Sequence, residues 1–148
     1  MKRQVISTDS GPRTGLPYSQ AIRHGDLVFV AGQVALDPAT GQVVAGGIRE
    51  QTHRVLQNVE AILRAAGTSL AHAVENLCLL ADIGDFAAFN EVYRGFFPKD
   101  PPARTTVQAV LPRPGLLVEI RVVAAMPPQA AARAAKPARR APAKRRRR

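Results

Sequence analysis

One segment limits this chain more than any other. From Val55 the larger apolar residues fall at Val55, Leu56, Val59, Ile62 and Leu63, with Ala66 closing the row. That 3-4 spacing is one buried stripe of an α-helix, running from about Ile48 to Ala66. Gly67 follows directly, where a left-handed residue ends a helix. A helix of this kind must lay its stripe on another element, and the rest of the chain supplies mainly strands.

Val5-Ile6 is a short strand candidate, followed by a polar Gly/Pro-rich stretch from Ser7 to Pro17. Ala21 to His24 leads through Gly25-Asp26 into Leu27 to Gly32, which reads as a hairpin. Asp37 to Gly41 is a second turn. Val74 to Asp82 is an apolar, strand-length run. Asp85 is placed to cap a second helix, whose face carries Phe86, Phe89, Val92, Tyr93, Phe96 and Phe97 and which Pro98 ends. Ala103 to Val110 is a strand, Pro112 to Gly115 a turn, and Leu117 to Ala125 the last strand. The order β, β, β, α, β, α, β, β predicts an α+β fold, with two helices covering one face of a mostly antiparallel or mixed sheet. The last two strands are expected to pair across the Pro112–Gly115 turn.

Charge divides the 148 residues in two. Residues 127–148 hold nine Lys or Arg and no acid, whereas residues 1–126 hold twelve against all eleven Asp and Glu. The net charge of +10 thus belongs almost wholly to the tail. That tail contains eight Ala, four Pro and nothing larger and aliphatic, so it cannot offset its ordering entropy by burial. It reads as a disordered arm outside a domain spanning 1–126. The arm has three readings: a solvated appendage, a non-specific nucleic-acid contact through its cations, or an anionic-membrane contact, which lacks an apolar face. With no aromatic residue in it, base stacking is not expected.

Several classes are excluded or disfavoured. No apolar run approaches the roughly 20 residues of a membrane span. The start, Met1-Lys2-Arg3-Gln4, leads into no apolar signal-peptide core, and the single cysteine, Cys78, allows no disulfide framework. Together these features fit a cytoplasmic setting. The three histidines lie far apart, so metal spacing is absent, and no Gly-rich loop supports a nucleotide cofactor. Cys78, among leucines, reads as a small buried hydrophobe.

Candidate chemistry centres on Arg104 and Glu119. Strand alternation puts Arg104, Thr106 and Gln108 on one face, and Glu119 with Leu117, Arg121 and Val123 on one face. A hairpin register bringing Arg104 to Glu119 would make either a surface ion pair or an anion site, in which the guanidinium fork grips a carboxylate and the glutamate orients water. Tyr18 is a loop aromatic that packs on the core or lines a pocket. Gly32 marks a strand end, a bulge or a place where a ligand approaches bare backbone. Asn90 is a polar residue of the second helix.

Taken together, Pro17-Tyr18-Ser19-Gln20, Val30-Ala31-Gly32-Gln33, Asn58-Val59, Ala66-Gly67, Asp85-Phe86 with Asn90, Tyr93 to Phe97, Pro102 to Val107 and Val118-Glu119-Ile120 form an ordered set. The set covers residues from about 3 to 125 and resembles the RidA/YjgF family of enamine/imine deaminases. The resemblance implies a chorismate-mutase-like α+β sandwich, a homotrimer with clefts between subunits, and hydrolysis of 2-imino acids to 2-keto acids and ammonia without a metal or organic cofactor. It implies that Arg104 binds the substrate carboxylate, that Glu119 positions or activates water, and that Tyr18, Gly32, Asn90 and Thr106 belong to the cleft. Ala31 also falls in the cleft, where well-studied members have serine. Arg121 replaces a glutamate or apolar residue. Some members are described as ribonucleases, which gives the basic tail a second reading as part of an RNA-directed protein.

Overall fold

In a computed structural model, which describes residues 2–128, the chain forms one six-stranded sheet with two helices on one side. The strands are β1 (Arg3–Ile6), β2 (Ala21–His24), β3 (Leu27–Val34), β4 (Ala73–Leu80), β5 (Ala103–Gln108) and β6 (Val118–Ala125). The helices are α1 (Ile48–Ala65), between β3 and β4, and α2 (Phe86–Phe96), between β4 and β5. The basic arm assigned to 127–148 lies outside the described residues except for Pro127 and Pro128.

The expected order of elements is found, and the expected α+β class with it. The helix stripe is buried: Val55, Leu56, Val59, Ile62 and Leu63 have no exposed surface. Gly67 takes φ +85, the left-handed conformation that closes a helix at least cost to a residue without Cβ. Gly25, φ +61, makes the two-residue turn between His24 and Leu27. Asp85, by contrast, precedes α2 without a side-chain capping hydrogen bond. Asp82 is the residue that accepts one, from the Gly84 amide at 2.8 Å, and it shapes the short turn before the helix.

The strand order is β1-β2-β3-β6-β4-β5, all antiparallel except β4 with β5. This overturns the expected hairpin of the last two strands. β6 runs into the middle of the sheet between β3 and β4, and β5 forms the outer edge. Composition explains the choice. β6 places Val118, Ile120, Val122 and Ala124 on the helix side with no exposure, as a central strand should, whereas β5 reads Ala-Arg-Thr-Thr-Val-Gln. A strand that polar is accommodated at an edge. Its parallel pairing with β4 follows from the crossover through α2.

The opposite face of the sheet carries no helix. Val5, Leu27, Phe29 and Val107 stand on it with 54%, 39%, 44% and 43% of their surface exposed. Arg121 shares this face and donates to Glu75 at 3.3 Å, an exposed pair of small energetic weight.

Candidate functional site

Alternation along β4, β5 and β6 settles where each candidate points. Asn76, Cys78 and Leu80 are buried toward the helices, and they pair with Arg104, Thr106 and Gln108 of β5. Arg104 therefore faces the helix layer. Glu119 lies between buried Val118 and Ile120 and faces the open side. Leu79 pairs with both Glu119 and Val107, so Glu119 is two strands across and three residues along from Arg104. With strands about 4.8 Å apart and about 3.3 Å per residue, the backbones are separated by ~14 Å. No ion pair joins them: the two residues occupy opposite faces of one sheet.

Around Arg104 the helix-side group is well built. The guanidinium Nη1 donates to the Asn90 side-chain oxygen at 2.8 Å. Its carbon lies 4.6 Å from the Tyr93 ring centroid, 5.4 Å from Phe89 and 5.6 Å from Phe86. Aromatic faces attract a cation and fix its plane without neutralising it. Asn90 is neutral too, and among the described residues no carboxylate pairs with Arg104. The fork is held in place while its remaining N–H groups stay available for an anion. The cleft it lines, about 280 Å³, also presents Tyr93, Phe97 and Pro102.

A buried polar row supports this group from beneath. Asn76, fully buried, donates through Nδ2 to the Tyr93 hydroxyl at 2.7 Å. Burial raises the Tyr93 phenol to about 12, so it stays protonated. Thr106 lies on the same face, its buried hydroxyl over the Cys78 thiol. Burial also raises the Cys78 thiol to about 12, against the pull of Arg104. Cys78 is thus the small buried side chain expected and no nucleophile.

On the open side, Glu119 sits directly against Gly32. A Cβ built on Gly32 would collide with the Glu119 carboxylate oxygen, and would stand 3.0 Å from its Cδ and 3.2 Å from its Cγ. Ala31 and Gly32 form a bulge: two residues between Val30 and Gln33 oppose the single residue Arg121 between Val122 and Ile120. The bulge brings the bare Gly32 backbone under the carboxylate. Burial pushes the Glu119 pKa up from the ordinary carboxylate value. Two residues from Tyr18, the Gln20 carbonyl accepts from the Ala31 amide at 2.9 Å, which ties this segment to the bulge. The Tyr18 hydroxyl accepts from Thr14 at 3.0 Å, and its side chain lines a cleft of about 340 Å³.

The candidates thus divide into Arg104, Asn90 and Thr106 on one side and Glu119 and Gly32 on the other, with Ala31 in the bulge and Tyr18 in a separate cleft that none of the others lines. Residues that fix both parts were not singled out from the sequence. Phe86, Phe89 and Tyr93 read as a core-facing stripe, yet their spacing with Asn90 marks the face that receives Arg104. Gln51, buried on α1, spans the entry to β6: its Nε2 donates to the Gly115 carbonyl at 2.7 Å and its Oε1 accepts from the Leu117 amide at 2.9 Å. Asn58, one helical face further on, donates to the Val34 and Leu36 carbonyls at 3.2 and 2.9 Å. A polar residue within an apolar helix stripe was the available signal.

No group of three or more His, Cys, Asp and Glu able to hold a metal occurs among the described residues. No described helix is long and apolar enough to cross a membrane.

The fold is a two-layer α+β sandwich with an arginine-lined cleft beside its edge strand. The comparisons give the family: the pattern described as Endoribonuclease L-PSP matches residues 8–126, and the chain belongs to this family, that of RidA and YjgF. A RutC family protein of Pyrococcus abyssi is 44% identical over 124 residues, covering 84% of this chain and 98% of the relative. The mouse 2-iminobutanoate/2-iminopropanoate deaminase is 43% identical over 127 residues, covering 85% and 93%. Among solved structures, Escherichia coli TdcF with bound serine superposes with a TM-score of 0.79 at 34% identity, over 84% of this chain and 99% of that one.

Proposed function

We propose that this protein hydrolyses 2-imino acids, and their enamine tautomers, to 2-keto acids and ammonia. The observation that carries the reading is Arg104: a guanidinium clamped by a neutral amide and three aromatic rings, with no carboxylate of its own. Relatives at about 42–43% identity bear the deaminase name.

The chemistry follows from the two groups. A 2-imino acid places a carboxylate beside an electrophilic C=N carbon. Arg104 grips the carboxylate through paired N–H donors and fixes that carbon in space. A water then adds to the carbon of the protonated imine while a carboxylate takes its proton, giving a carbinolamine. The carboxylic acid returns that proton to the nitrogen, which leaves as ammonia, and the hydroxyl proton passes to solvent as the carbonyl forms. Glu119 suits the proton transfer, because burial brings its pKa toward working pH, where a general base is most effective. Gly32, Ala31 and Tyr18 would line the water side, and Asn90 and Thr106 the carboxylate side.

One copy cannot apply both groups to one substrate, since they lie on opposite faces. The reading therefore includes a homotrimer, in which Arg104 of one subunit meets Glu119 of the partner subunit across a cleft. The uncovered face with Val5, Leu27, Phe29 and Val107 gives the subunits an apolar surface to bury against each other.

The test is a coupled assay. An amino-acid oxidase supplies imines from a panel of amino acids, semicarbazide traps them, and the protein competes with the trap. Suppression of trapping that is lost in Arg104→Ala is the expected result. Equal suppression by the variant, or none by the wild type, would refute the reading.

A further inference from the structure

Four arginines of the described chain are paired with carboxylates: Arg13 with Asp9, Arg49 with Glu91, Arg64 with Glu60, and Arg121 with Glu75. Arg3, Arg23, Arg54, Arg94, Arg104 and Arg113 make no such pair, and of these Arg94 and Arg104 share a cleft. Both line the same cleft of about 280 Å³, neither makes an ion pair among the described residues, and no acidic side chain lines the cleft with them. Within one subunit these two cations share a concavity without a counter-charge, and they repel each other unless an anion enters between them.

The helix sets their spacing. Asn90 and Arg94 are four residues apart on α2, hence neighbours on one face about 5–6 Å apart at Cβ. Asn90 holds the Arg104 guanidinium at 2.8 Å, so Arg94 emerges one turn further along the same cleft. Between them the wall is Tyr93, Phe97 and Pro102, apolar surface that suits a short methylene chain.

We propose that Arg94 forms a second anion subsite, which selects 2-imino acids, and the matching 2-keto acids, that carry a distal carboxylate two or three carbons from the first. This rests on the reading of the Arg104 cleft as the substrate site. Arg104 takes the carboxylate next to the imine carbon, the methylenes lie on the apolar wall, and Arg94 takes the far end. Because Arg94 is exposed, its share is that of a solvent-facing ion pair, at most about fivefold in affinity, and it fades with salt.

The experiment compares binding and turnover in the full-length protein. By titration at low salt, 2-oxoglutarate should bind about fivefold more tightly than 2-oxopentanoate, its counterpart without the distal carboxylate. Arg94→Ala should bring that ratio to about one, Arg94→Glu should invert it, and Arg104→Ala should weaken both ligands. Equal affinities in the wild type, or a ratio unchanged by Arg94→Ala, overturn the proposal. In parallel, imines generated by oxidases from glutamate and from glutamine are offered in the trapping assay, and the ratio of their kcat/KM values should fall in Arg94→Ala. If neither imine is turned over but the diacid preference and its loss persist, the deaminase reading fails and the subsite stands. If both are turned over without a preference, the subsite fails and the deaminase reading stands.

Discussion

Gly32→Ala is the sharpest perturbation the structure offers. The Gly32 φ is not in the left-handed region, so alanine meets no backbone strain there. The obstacle is the Glu119 side chain, whose carboxylate, Cδ and Cγ all lie within contact of the added methyl. The carboxylate must swing away by an ångström or more. A rotamer forced off its minimum costs about 0.5–1.5 kcal/mol. The lower entropy of alanine in the unfolded chain returns about 0.4–1 kcal/mol. The net change in stability is therefore within about 1 kcal/mol, or ~3–5 °C in Tm for a domain of this size. Catalysis should suffer far more, since an ångström of misplacement costs about a hundredfold. Binding of a keto acid should stay within about twofold, because its carboxylate is held by the Arg104 fork, which the Gly32 change does not alter. Thermal melts, imine turnover and keto-acid titration of the one variant make the comparison. Turnover within a few-fold of wild type would refute the placement of Glu119 as the group that handles water. A parallel loss of keto-acid binding would refute the division of labour between the two faces.

Further outcomes are expected from neighbouring changes. Arg104→Lys keeps the charge but loses the fork and the stack on Tyr93, so kcat/KM in the trapping assay should fall about tenfold to a hundredfold, the worth of about 1.5–3 kcal/mol in charge-assisted hydrogen bonding. Tyr93→Phe keeps the ring over Arg104 but leaves the buried Asn76 amide without its acceptor, so urea unfolding should show a loss of about 1–3 kcal/mol with kcat little changed. In the wild type, Glu119 has a raised folded-state pKa, so the folded protein binds the proton more tightly than the unfolded chain does. Its contribution to stability is present below the unfolded value of about 4.3 and is lost as pH rises through the raised folded value. Glu119→Gln should therefore unfold at higher urea than wild type at about pH 8, an advantage absent at about pH 4, while its turnover falls about 10²–10⁴-fold.

Much of this was legible in the residues. The 3-4 row from Val55 to Ala66, the Gly67 stop and the Gly25-Asp26 turn are local patterns, and local sterics and helix periodicity decide them. Alternation alone also placed Arg104 with Thr106, and Glu119 with Arg121, on shared faces. The aromatic stripe Phe86, Phe89, Tyr93 was visible as a buried surface, although its use as a seat for a guanidinium was not, because periodicity reports which side is covered and never by what. Gln51 and Asn58 are polar interruptions of an apolar helix whose roles the residue pattern did not disclose, because their partners at Gly115, Leu117, Val34 and Leu36 are distant in sequence.

The sequence by itself determined the elements and their order, and it raised Arg104 and Glu119 as candidates. Only the tertiary structure decided how those two stand to each other. Adjacent strands joined by a Pro-Gly turn look like a hairpin, and that pairing would have set Arg104 and Glu119 on the same face. Strand pairing is a competition for burial across the whole sheet. β6 buries four apolar residues against the helices and takes the centre, between β3 and β4. The polar β5 is left at the edge beside β4. That exchange of neighbours puts the arginine and the glutamate on opposite faces, and no local pattern in the chain encodes it.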